Sequence, residues 1–76
     1  MNTFNTDDTA ILRRYAAERS LSLRWGETHQ GDQWAILGQQ DPVTITREGG
    51  GYTALFEDGS PIGTGATMGE ALALIE

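Results

Sequence analysis

The side chains able to do chemistry are few and scattered. His29 is the sole histidine, and cysteine is absent. A general base needs a nucleophile and an orienting acid beside it, and a metal site needs several donors at set spacing. His29 has only Glu27 and Asp32 nearby, in a polar stretch with a Gly-Asp pair that reads as a surface turn. Ser20, Ser22 and Ser60 have no base at a recognisable spacing. Asp7-Asp8 and Glu57-Asp58 are adjacent acids, but neighbours on a helix do not face each other, and Glu57-Asp58 runs into an Asp-Gly turn. The run Gly63-Thr64-Gly65-Ala66-Thr67-Met68-Gly69 spaces its glycines as Gly-x-Gly-x-x-x-Gly. A dinucleotide fingerprint is one residue shorter, and a Walker loop needs a lysine. The expectation is therefore no enzyme, no cofactor and no metal.

Charge and size say more about partners. The chain has 76 residues and a net charge of −6. Its five cations are all arginines: Arg13, Arg14, Arg19, Arg24 and Arg47. Up to Gly38, four arginines face five acids, a net of −1; beyond it one arginine faces six acids, a net of −5. Such a field repels nucleic acid at long range and attracts basic protein surfaces. A domain this short buries only about 60% of its unfolded surface, enough for one modest core. The absence of cysteine suits a reducing cytoplasm. No apolar run reaches the ~20 residues of a membrane span.

The elements that must carry these residues follow from periodicity. Thr6 and Asp7 can cap a helix from about Asp8, with Ile11, Leu12, Tyr15 and Ala16 on one face. Strands are predicted at Leu21–Trp25, Trp34–Leu37, Val43–Thr46 and Tyr52–Phe56, with a short edge segment near Ile62. Thr67-Met68-Gly69-Glu70 is a capping-box sequence opening a last helix with Met68, Ala71, Leu72 and Ile75 on one face. The fold expected is α+β, in the order α-β-β-β-β-α, with an antiparallel sheet and both helices packed on one face. Residues 1–76 form a single domain, of which 1–6 are expected to be flexible. Trp25, Trp34, Tyr52 and Phe56 are expected mainly in the core, with an exposed Trp the sign of a binding anchor.

The chain from Tyr52 onward, with Gly59, Gly63, Gly65, Thr67 and Ala71, resembles the C-terminal half of the double-stranded-RNA-binding domain family. The helix Leu12–Arg19 and the strand around Leu23 are similar to that family's opening elements, so the resemblance covers roughly half the chain. It implies the fold. RNA binding in the family relies on a lysine pair after the capping hydroxyl, whereas this chain has Met68, Gly69 and then Glu70. RNA is accordingly not an expected partner. Val43, Tyr52, Ala54, Asp58, Pro61, Gly65, Thr67, Glu70, Ala71 and Leu72 also resemble the N-terminal domain of HicB-type antitoxins, which bind a small basic toxin. The spacing from Asp58 to Thr67 departs from that pattern by one residue, and these 76 residues hold no counterpart of that family's DNA-binding tail.

The function expected is non-catalytic binding to another protein with a basic surface, by a small acidic inhibitor such as a phage anti-CRISPR protein. The partner-binding candidates are Glu57, Asp58, Glu70, Trp34, Arg13 and Arg14. An antitoxin-like domain and a degenerate duplex-RNA module are the alternatives. A homodimer through an exposed edge strand is also open.

Overall fold

The computed structural model describes residues 3–75. Met1 and Asn2, part of the stretch expected to be flexible, lie outside them. Asn5 rather than Thr6 caps the first helix, α1 (Thr6–Glu18). The Asn5 side chain accepts from the Asp8 backbone N–H at 2.8 Å, and the Asp8 carboxylate accepts from the Asn5 N–H at 3.2 Å. This reciprocal pair satisfies two donors that the start of a helix leaves orphaned. The helix ends at Glu18, and Ser20 takes a positive φ of 54° to turn the chain into the sheet.

Five antiparallel strands follow: β1 (Leu23–Glu27), β2 (Gln33–Leu37), β3 (Val43–Glu48), β4 (Gly51–Leu55) and β5 (Pro61–Gly65). They lie side by side in chain order, β1-β2-β3-β4-β5. The edge segment expected near Ile62 is thus a full strand. Each connection is short enough to demand an antiparallel neighbour. At the β3–β4 turn Gly49 takes a φ of 56°, which glycine reaches without steric cost.

A last short helix, α2 (Met68–Ala73), returns across the sheet. Thr67 Oγ1 accepts from the Glu70 N–H at 3.1 Å. The Glu70 carboxylate binds the N–H of Ala66 at 2.7 Å, one residue earlier than a strict capping box predicts. Either way a free N–H at the helix entrance is satisfied.

Both helices cover one face of the sheet. Leu12, Tyr15 and Ala16 of α1 and Met68, Ala71 and Leu72 of α2 meet Ala35, Leu37, Ile45, Tyr52 and Ala54 from the strands. The close approach of α2 depends on glycine. A Cβ at Gly65 would lie 2.7 Å from the Ala71 backbone nitrogen, closer than such atoms pack. None of the described helices is long and apolar enough to cross a membrane.

The segment Thr3 to Asn5 before α1 is stitched to the same face. Phe4 N–H donates to Gln33 Oε1 at 2.8 Å, and Arg47 donates to the Thr3 carbonyl at 2.7 Å. The Phe4 ring stacks on Tyr52 and meets Trp25 edge-on, with centroids 6.4 and 6.1 Å away. Asp8 is only 5% exposed and accepts the Tyr52 hydroxyl at 2.6 Å, so the helix cap and the sheet share one carboxylate.

Of the four rings expected in the core, Tyr52 alone is buried there. Trp25 sits on edge strand β1 and remains 40% exposed. Trp34 falls on the sheet face opposite the helices, because its neighbour Ala35 takes the inward position. Phe56 lies one residue past the end of β4 and is 53% exposed.

Candidate protein-binding surfaces

Among the described residues Phe56 is the most exposed of the large apolar side chains. It opens the β4–β5 turn, Phe56-Glu57-Asp58-Gly59-Ser60, which closes by hydrogen bonds from the Phe56 N–H to the Ser60 carbonyl and from the Gly59 N–H to the Phe56 carbonyl. Gly59 takes a φ of 90°, a conformation that favours glycine and explains the Asp-Gly sequence. The Asp58 carboxylate accepts the Ser60 backbone N–H at 2.9 Å. This bond, with the Ser60 hydroxyl nearby, holds its carboxyl below the ordinary aspartate value. Asp58 is therefore a fixed negative charge rather than a swinging one.

Across from this turn stands the β2–β3 loop, where Asp41 takes a positive φ of 49°. Asp41, Phe56, Glu57 and Asp58 line one open groove of about 530 Å³. The sheet thus ends in a tip where an aromatic residue and three acidic residues border one groove. Among the described residues no three of the His, Cys, Asp and Glu side chains converge tightly enough to hold a metal ion. The groove offers charge and apolar area together.

The residues singled out from the sequence fall in four places. Glu57 and Asp58 form the tip. Glu70 does not join them. It is near Ala66, past the far end of β5, and its carboxylate is committed to the Ala66 N–H. At ~3.3 Å per residue, β5 puts roughly 13 Å between the two ends. Trp34 is on the open face of the sheet. Its ring lies flat on Gly26, so close that a Cβ on Gly26 would strike it. Arg13 and Arg14 are exposed on α1, and Arg14 borders a shallow groove of about 230 Å³ with Ile11 and Leu72.

The arginines do not form one patch. Arg19 folds onto the Tyr15 ring, 3.9 Å from its centroid, and lies 3.9 Å from Glu18. Arg47 is held by the Thr3 carbonyl and sits over Tyr52. Arg24 pairs in register with Ile36 and so points to the face away from the helices. His29 is exposed in the β1–β2 turn.

Sequence reasoning missed Phe56 as a surface residue and Asp41 as its neighbour. A signal for the first was present: Phe56 directly precedes Glu-Asp-Gly, a sequence that belongs to a turn rather than a strand. Asp41 carried none, since its approach to the tip depends on the β2–β3 and β4–β5 loops lying at the same end of the sheet.

No protein family model, no curated protein and no solved structure matches this chain.

Proposed function

We propose that the chain is a non-catalytic protein-binding module that inhibits its target by docking the acidic, aromatic tip on a basic surface. The observation that carries this reading is the exposure of Phe56 within a groove bordered by Asp41, Glu57 and Asp58. An aromatic anchor inside a rim of charge is the usual anatomy of a hot spot. The ring supplies affinity, and the carboxylates supply steering and register. A net charge of −6 adds long-range attraction to any cationic partner. Protein surfaces built to hold nucleic-acid phosphates present such charge, which fits an anti-defence inhibitor of the anti-CRISPR kind. A small basic toxin, as the antitoxin resemblance implies, presents the same chemistry.

The duplex-RNA alternative finds less support. Met68, at the position of the first lysine, is 1% exposed and part of the core. Glu70 occupies the neighbouring backbone donor at Ala66.

The test is affinity capture from bacterial lysate with and without nuclease, repeated with Phe56→Ala and with Glu57→Gln/Asp58→Asn. Loss of a buried phenyl ring removes about 1.5–3 kcal/mol of apolar transfer, roughly ten- to a hundredfold in Kd. The double carboxamide should slow association and flatten its salt dependence. Glu70→Gln should leave binding unchanged. A partner that survives nuclease but ignores Phe56→Ala would refute the tip as the docking site. Recovery of RNA alone would refute the protein-binding reading.

A further inference from the structure

The helices leave one whole face of the sheet uncovered. By the strand register that face carries Trp34, Ile36 and Leu55, with Thr44, Thr46 and Thr53 between them. All six are partly accessible. Its paired strand positions hold just two charges, Arg24 on β1 and Glu48 on β3. Both side chains are exposed, and neither has an ion-pair partner among the described residues. The face is thus electrically neutral on a protein of net charge −6. For two copies of such a chain, this is the surface that can approach its twin without meeting the net negative field.

The two charges are placed symmetrically. Trp34 pairs with Gly26 on one side and with Thr46 on the other. Arg24 precedes Gly26 by two residues, and Glu48 follows Thr46 by two residues. Strands β1 and β3 run in the same direction, since both are antiparallel to β2. Arg24 and Glu48 therefore lie on opposite diagonals from Trp34, each roughly 8 Å away by strand spacing and rise. A two-fold axis through Trp34, in the plane of the contact, exchanges them.

We propose that this open face is a self-association surface. A second copy docks face to face, with Trp34 on Trp34 and Arg24 of each protomer on Glu48 of the other. The flat seating of Trp34 on Gly26 leaves the outer face of the indole available for stacking. Beside Glu48 there is a hollow of about 360 Å³, bordered by Trp34 and Thr46 and, with opposite charges, by Asp32 and Arg47. A guanidinium entering the hollow meets the Glu48 carboxylate. Self-complementarity of this kind, i on j and j on i, is what a two-fold interface requires.

The available area bounds the strength. Five strands at ~4.8 Å spacing and five residues at ~3.3 Å give a projected face of roughly 350–400 Å² per copy. Two such faces with their side-chain relief reach only the lower end of the ~1,200–2,000 Å² of specific interfaces. A contact of this size belongs to the weak, transient class. The contact is on the sheet face and the acidic tip at the sheet's end, so this inference stands independently of the proposed target binding.

Sedimentation equilibrium of the full chain from 1 µM to 1 mM tests it. The mass should rise from one chain toward two. R24E and E48R should each weaken association at least tenfold, while far-ultraviolet circular dichroism stays unchanged. Mixing R24E with E48R in equal amounts should restore dimers, because every contact then joins opposite charges; the R24E/E48R double variant should also pair. E48R reduces the net negative charge and yet should dissociate, which separates local pairing from overall repulsion. A single-chain mass at every concentration would overturn the proposal. So would dimers indifferent to both single changes, as edge-strand pairing predicts, or a mixture that stays monomeric.

Discussion

Removing the Tyr52 hydroxyl should loosen the whole N-terminal side of the domain. Asp8 Oδ2 accepts that hydroxyl at 2.6 Å and the Asn5 N–H at 3.2 Å, in a position 5% exposed. A net hydrogen bond to a charged group stabilises by about 1.5–3 kcal/mol. Tyr52→Phe removes both the donor and its own need for a partner, while Asp8 keeps the Asn5 bond. Its cost should lie near the bottom of that range, about 1.5 kcal/mol. Asp8→Ala costs more: it strands the buried Tyr52 hydroxyl and breaks the cap, for a total of about 3–4 kcal/mol. A chain of this length has roughly 4–11 kcal/mol in all, so this variant approaches the threshold of folding. For a domain this small, 1 kcal/mol moves Tm by about 4–8 °C, so Tyr52→Phe should melt some 6–12 °C lower. Thermal melts of the two single variants and the double variant give the coupling energy. A coupling below ~0.5 kcal/mol would show that the contact contributes nothing, and the reasoning would fail. The same contact predicts an alkaline limit. Burial, then the Asp8 hydrogen bond and charge, raise the Tyr52 pKa above 10.0, while Arg47 opposes this weakly. A group whose folded pKa is raised stabilises fully below its unfolded value and loses that contribution as pH climbs through the folded one. Stability should therefore fall from about pH 10 upward, with a shallower fall in Tyr52→Phe.

Three further outcomes follow from the packing. Gly26→Ala should push the Trp34 ring off β1, since the new methyl has no room beneath it; a shift in indole emission and a loss of about 1–3 kcal/mol in urea titration would show it. Gly65→Ala should destabilise more than Gly50→Ala, because its Cβ would press on the α2 backbone at 2.7 Å while nothing lies within 4 Å at Gly50; equal midpoints would contradict the close seating of α2. Phe56→Ala should leave the unfolding free energy from urea titration within ~0.5 kcal/mol of the parent, as befits a ring 53% exposed; a large loss would mean that the ring belongs to the core.

The elements were legible because each has a local cause. Alternation marked Val43–Thr46 as strand, and the Thr67–Glu70 pair marked the entrance to α2; both stand. The start of α1 was misplaced although its signal was present: Asn5 and Asp8 are spaced as a capping box, but Thr6 and Asp7 compete for the same role in sequence. Side-chain direction was less legible. Trp34-Ala35-Ile36-Leu37 is apolar throughout, so period-two alternation cannot say which pair turns inward. The register chose Ala35 and Leu37, and Trp34 went to the open face with Ile36. At the tip, Glu57 and Asp58 were legible as an exposed acidic turn. That Glu70 lies apart from them, and Asp41 beside them, depends on how far β5 carries the chain.

The small residues of the core explain why so much aromatic surface stays outside it. Ala16, Ala35, Ala54 and Ala71 are buried where the helices meet the sheet, and Gly65 lets the α2 backbone approach closely. Such a close layer has no volume for an indole, and a protein interior tolerates little overpacking. Trp25, Trp34 and Phe56 are therefore displaced to the edge, the open face and the tip. A scattered exposed apolar residue needs no explanation. Here Phe56 borders a groove with three acids, and Trp34 lies midway between an arginine and a glutamate, the charged surroundings on which the two proposed interfaces rest. The same narrow core leaves three of its largest side chains at the surface.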